Sequence, residues 1–320
     1  MNTTAMNAVP QSYRERLADA DAEVRRISVM ELPYSDEDDF IELALAALAD
    51  VAAPVRAEAA KALEGIEEDA IVQALAEALR DADNSVREAA ALSLSELKDP
   101  AMSAHVIPYL SDADAFTRAA AFRALRELRV PGVFDAALAA LQDASERVRR
   151  EAVAVLGYLK NPAGLGELTR IAMNDADSEV RRAAVGALGY ATGEQVVPAL
   201  THALKDDSWQ VREEAASTLG KVKPRDAVDK LIVAMTDNYW QVRIRAIRSL
   251  GRMKAREAVG AIGEALTHTV SNVRKESAIA LGEIGDAKAI PALEKARLDT
   301  DPDVRKLAQL ALVTIAGKAA

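Results

Sequence analysis

The chain has 320 residues, half of them apolar but only 4% aromatic, with no cysteine and a formal net charge of −10. The missing cysteines exclude disulfides, thiolate metal sites and cysteine nucleophiles. The negative balance argues against general nucleic-acid binding, which needs phosphates neutralised along the whole contact.

Residues 1–11 read as a flexible tail, and the N-terminus lacks the basic start and apolar stretch of a secretory signal. The most apolar run, Phe40 to Val55, is broken by Glu42 and Asp50 well short of the ~20 residues a membrane span needs. A cytoplasmic protein with no membrane association is therefore expected. The apolar residues are mostly Ala, Leu and Val, which suits tightly packed helices.

From residue 12 onward the chain repeats. Arginines recur at Arg25, Arg56, Arg87, Arg118, Arg149, Arg181, Arg212, Arg243, Arg274 and Arg305, in steps of 31 residues with one step of 32. The residue before each is Val, except at Thr117; three residues after comes Ala or Ser, and seven after always Leu, from Leu32 to Leu312. Offsets −1, +3 and +7 share one face of an α-helix, and the small residue lets neighbouring helices approach.

Six residues before each arginine stands Asp, from Asp19 to Asp299, with His268 as the exception. Short polar side chains there and two residues later suit the free N–H groups of a helix start. Gly157, Gly189, Gly220, Gly251 and Gly282 follow the leucine and are expected to let the backbone leave the helix. A second apolar stripe lies upstream, as in 196–204 and 227–235, so each unit is helix, turn, helix. Such hairpins cannot bury their apolar faces alone and must stack, as an arched rod on the order of 100 Å long at 8–10 Å per helix layer. The arginine column then reads as structural, pairing with turn aspartates of its own or an adjacent repeat, because a residue present in every unit cannot define one site.

With these columns, segments such as DADSEVRRAAVGALGY (175–190) and SNVRKESAIALGEIGDAKAIPALEKA (271–296) make the chain resemble HEAT repeats, specifically the short HEAT-like class first associated with phycobilisome lyases. The likeness runs from about Ser12 to Ala316. It implies an all-α fold, a right-handed α-solenoid of about ten two-helix repeats, as one domain over 12–316 followed by a tail at 317–320. It also implies a binding scaffold more than an enzyme. Deoxyhypusine hydroxylases of this kind bind iron through His-Glu pairs; the three histidines here, His105, His202 and His268, form none. Glycosylases need a basic groove, which the N-terminal half opposes: residues 1–160 hold 17 Lys+Arg against 29 Asp+Glu, and the remainder 23 against 21. A tetrapyrrole-handling or bilin-lyase-like accessory role is the alternative that the likeness leaves open. No cofactor and no metal are expected.

Where repeats depart from the pattern, function is expected. Asp36, Glu37, Asp38 and Asp39, with Glu64, Glu67, Glu68 and Asp69, are read as capping and solubilising clusters, and Tyr34, Tyr158 and Tyr190 as packing across a loop. The only two tryptophans, Trp209 and Trp240, occupy equivalent positions three before the arginine in adjacent repeats and are expected side by side. Tyr239 adjoins them, and Arg245, Arg248 and Arg252 share one face of the next helix by their i, i+3, i+7 spacing. These six residues form the candidate site, an aromatic and basic patch on repeats seven and eight. By the resemblance it faces the concave surface. The expected function is a monomeric scaffold that binds a protein or peptide partner.

Overall fold

The computed structural model describes residues 12–35, 37–191 and 194–319. The tail at 1–11, Asp36 of the acidic cluster and the final residue of the tail at 317–320 lie outside them. The fold is an all-α solenoid, and no strand occurs among the described residues.

Contacts divide the chain into two compact units, 1–159 and 160–320. The first holds five hairpins: α1 (Tyr13–Leu17) with α2 (Ala22–Glu31), α3 (Phe40–Ala47) with α4 (Ala53–Ala62), α5 (Asp69–Ala78) with α6 (Asn84–Leu94), α7 (Ser103–Val106) with α8 (Ala115–Leu125), and α9 (Phe134–Ala140) with α10 (Glu146–Leu159). The second holds five more: α11 (Leu165–Asn174) with α12 (Ser178–Ala187), α13 (Val197–Ala203) with α14 (Trp209–Val222), α15 (Val228–Ala234) with α16 (Trp240–Arg252), α17 (Val259–Ala265) with α18 (Ser271–Ile284), and α19 (Ile290–Ala296) with α20 (Pro302–Ala319). The last helix thus runs past the boundary expected at residue 316.

Every periodic arginine lies on the second helix of a hairpin, and these helices stack on one another within each unit. The column three after the arginine is fully buried throughout, from Ser28 to Ala308, and the leucine column is buried from Leu32 to Leu281. Larger side chains there would push neighbouring helices apart. First helices are shorter in every hairpin but the sixth, where α11 and α12 have equal length, and several follow a single 3-10 turn, such as Pro162–Gly164 and Ala287–Ala289, where Asn161 and Asp286 accept the N–H two residues on.

Of the glycines after the leucine, only Gly189 lies past the end of its helix; Gly157, Gly220, Gly251 and Gly282 do not provide the exit. Gly220, Gly251 and Gly282 lie inside α14, α16 and α18, where the next helix comes close: a Cβ on Gly220 would stand 2.7 Å from Ser249 Cβ, and one on Gly282 3.1 Å from Ala311 Cα. In five repeats the exit comes eleven residues after the arginine, where Arg129, Lys160, Lys223, Lys254 and Gly285 adopt positive φ; in the second repeat Gly65 does so nine residues after Arg56. At α14 and α18 this left-handed residue closes the helix by donating its N–H to Leu219 or Leu281. Of the six only Gly65 and Gly285 have the residue type that this conformation favours, so residue identity alone does not mark the exit.

Candidate binding site

The site is built on the turn between the two helices of a repeat. In that turn the aspartate Oδ1 accepts the N–H two residues on, as Asp206 does from Ser208 and Asp237 from Tyr239, both at 2.9 Å. The same carboxylate receives the arginine of the preceding repeat in a fork. Arg181 reaches Asp206 at 2.7 and 2.8 Å, Arg212 reaches Asp237 at 2.7 and 3.1 Å, and Arg274 reaches Asp299 at 2.8 and 2.8 Å. Arg25, Arg56 and Arg118 make the same rungs to Asp50, Asp81 and Asp143. Nη1 of each arginine turns back onto its own loop; in Arg212 it donates to the Asp206 and Asp207 carbonyls.

This ladder sets the charge state of the turns. The Arg25 fork, against the opposing effect of burial, holds the Asp50 carboxyl below the ordinary aspartate range, and Arg56 and Arg274 do the same for Asp81 and Asp299. At Asp237 burial is the largest influence and pushes upward, but the bonds from Arg212 and the Tyr239 N–H outweigh it. One rung slips: Arg87 pairs with Asp114, while Asp112 takes Arg80 at 2.5 Å.

The aromatic residues sit on this edge. Trp209 stacks on Tyr239, with ring centroids 5.3 Å apart and planes 12° from parallel, and the Arg212 guanidinium lies 5.7 Å from the Tyr239 centroid. Tyr239 is 45% and Trp240 39% exposed, and Trp240 has no ring contact among the described residues. The expected pairing of two tryptophans is thus a Trp–Tyr stack with the second tryptophan beside it. Tyr239 occupies the N-cap position filled by Asp177 in α12, so α16 begins without a side-chain cap.

The basic half of the patch is different from its sequence appearance. Arg245 donates to Glu213 at 2.9 Å, and Arg248 forks onto the buried Glu276 at 2.9 and 2.6 Å, so both charges are matched across repeats. Arg252 is exposed at the far end of α16 and has no ion pair among the described residues. Laying adjacent repeats in register would have revealed these partners, since Glu213 and Glu276 stand one and two residues after their arginines.

Tyr34 is 90% exposed, Tyr190 donates to the Asn161 carbonyl at 2.9 Å, and Tyr158 lies beneath Arg126 and Arg129. His105 contacts Asp69 at 2.7 Å and His202 is exposed. Among the described residues no group of three or more His, Cys, Asp or Glu side chains is arranged to hold a metal, and no helix is long and apolar enough to cross a membrane.

Comparison with known proteins follows the repeat pattern. The family model described as HEAT repeats matches residues 11–95, 41–126, 103–172, 165–243 and 228–313. A search among curated proteins finds no match. Among solved structures, an engineered protein is 23% identical with a TM-score of 0.54, covering 95% of this chain and 98% of its own. YibA of E. coli is 21% identical with a TM-score of 0.55, covering 93% and 98%. Kap95p in a RanGDP complex is 14% identical with a TM-score of 0.64, covering 96% of this chain and 50% of its own.

Proposed function

Because the chain belongs to the HEAT-repeat family, we propose that it is a non-catalytic scaffold that binds a protein partner, with Trp209, Tyr239 and Trp240 as the anchor. The observation that carries this reading is the pair of exposed rings on the turn edge, Tyr239 stacked on the half-buried Trp209 and Trp240 open beside it. Aromatic side chains held by rigid elements bind with little entropic loss, and they dominate interface energetics where they are desolvated. Kap95p, which shares the fold, binds RanGDP. The pairing of Arg245 and Arg248 with glutamates favours an aromatic anchor over a cationic cradle for tetrapyrrole propionates.

The test is a double variant, Trp209→Ala with Trp240→Ala. Neither side chain is in the fully buried core, so helical content and melting temperature are expected to stay close to wild type. Partner capture is expected to fall by at least about tenfold, the equivalent of ~1.4 kcal/mol for two interface anchors. Undiminished capture by a folded double variant places the anchor elsewhere.

A further inference from the structure

One interior rung of the ladder has no carboxylate. Where Asp206, Asp237 and Asp299 stand in their turns, the ninth repeat has His268. Its Nδ1 accepts the Val270 N–H at 3.0 Å, the bond an aspartate makes elsewhere. Nε2 lies 2.7 Å from Arg243 Nη1, itself a donor, and a neutral ring cannot accept at both nitrogens: if Nδ1 accepts from Val270, Nε2 carries the proton. The ring thus offers one acceptor to two donors, the Val270 N–H and Arg243, where the other rungs have a carboxylate that serves both. Arg243 has also turned: its Nε, not Nη1, donates to the Asp237 carbonyl, and its Nη2 has no hydrogen bond among the described residues.

The surrounding turn is equally short of negative charge. The sequence from Ala265 to Lys275 contains no acidic residue, whereas the turns on either side carry Asp237 and then Asp299, Asp301 and Asp303. Val270 fills the N-cap position of α18 and Tyr239 that of α16, so neither helix start has a side-chain acceptor. Beside His268 opens a groove of about 870 Å³ between α17 and α19, walled by Leu266 and Leu298, with Arg274, Lys288 and Lys295 and the carboxylates of Glu264 and Asp299 on its margin. The edge is thus acidic, with one turn, 265–275, that supplies no carboxylate of its own and follows the helix that begins at Trp240.

We propose that the Arg243–His268 gap is a receptor for a carboxylate carried by the partner, which completes the rung by accepting from Arg243 Nη and His268 Nε2–H. This deepens the reading above by giving the partner its chemistry: an acidic side chain or a chain terminus placed next to the group that meets Trp240. A carboxylate fits because it is what the same position supplies in cis in six other rungs, and charge-assisted bonds of this type are the stronger ones.

Three short peptides serve as probes at constant ionic strength: acetyl-Ala-Glu-Ala-amide, acetyl-Ala-Ala-Ala with a free terminus, and acetyl-Ala-Gln-Ala-amide as the neutral control. With only three histidines in the chain, the His268 ring resonance can be followed directly. Saturable shifts are expected with one or both acidic probes, the effective one identifying a side-chain or terminal carboxylate, and none with the control. Arg243→Gln is expected to weaken binding about tenfold. His268→Asp, which supplies its own carboxylate, is expected to melt higher than wild type and to lose the peptide-induced rise in melting temperature. A shift equal for all three probes, no shift with either acid, or an undiminished response in His268→Asp overturns the proposal. The Trp209/Trp240 double variant separates the two readings, because its His268 response is expected to survive even where partner capture is lost.

Discussion

At the level of single residues, the arginine column works as a clamp between successive turns. Arg181 joins the Asp206 side chain of the next repeat to the Asp175 and Ala176 carbonyls of its own, so one planar guanidinium satisfies acceptors on two repeats. Lysine has the charge but not the fork. Arg181→Ala leaves a largely buried carboxylate, since the Asp206 side chain is only 9% exposed, and strips two carbonyls of a donor. We expect a loss of about 2 kcal/mol, below the 3–5 typical of fully buried pairs because the arginine keeps some solvent contact. A double-mutant cycle with Asp206→Ala checks it. If the second substitution is fully additive, the two side chains are not coupled and the clamp does not hold the repeats.

At the level of the element, packing of second helices is limited by what stands eight residues after the arginine. Gly220→Ala would drive a methyl group to 3.0 Å from the Ser249 backbone and 2.7 Å from its Cβ, and so disturb the buried bond from Ser249 Oγ to the Ala216 carbonyl. A loss of about 1–3 kcal/mol is expected from such overpacking. Gly260, inside α17, is the counterpart: nothing lies within 4 Å of the place an added methyl group would take, and Gly260→Ala is expected to stabilise by about 0.5–1 kcal/mol through chain entropy. Urea denaturation of both variants decides; equal effects would mean that helix propensity, not approach distance, governs the position. The same positions show how far the sequence could be read. Columns of Val, small residue and Leu specified the buried face because their spacing is fixed by helix geometry. The glycine column was visible too, but its purpose was not, since a glycine that ends a helix and one that admits a neighbour look alike until the neighbour is placed. The aromatic anchor was legible as a departure from a column. Its stacking partner, and the pairing of Arg245 with Glu213, depend on contacts between repeats that no single repeat records.

At the level of the whole molecule, stability depends on pH through the ladder. Aspartates in both units, among them Asp50, Asp81 and Asp299, have folded pKa values depressed by their arginines. A depressed carboxylate contributes its full stability above the unfolded value of about 3.9, and that contribution is lost as pH falls from there through the folded value. The net charge of −10 acts the other way, because protonating exposed acids relieves self-repulsion. Added salt tells the two apart, since repulsion between exposed charges is screened while bidentate rungs at 10–20% side-chain exposure are screened much less. The urea midpoint is therefore expected to change little between about pH 7 and 5 and to fall steeply below about pH 4, with most of that fall retained in concentrated salt. A midpoint that rises on acidification, or an acid loss that salt abolishes, would show that surface repulsion, and not the rungs between repeats, sets the pH dependence of the solenoid.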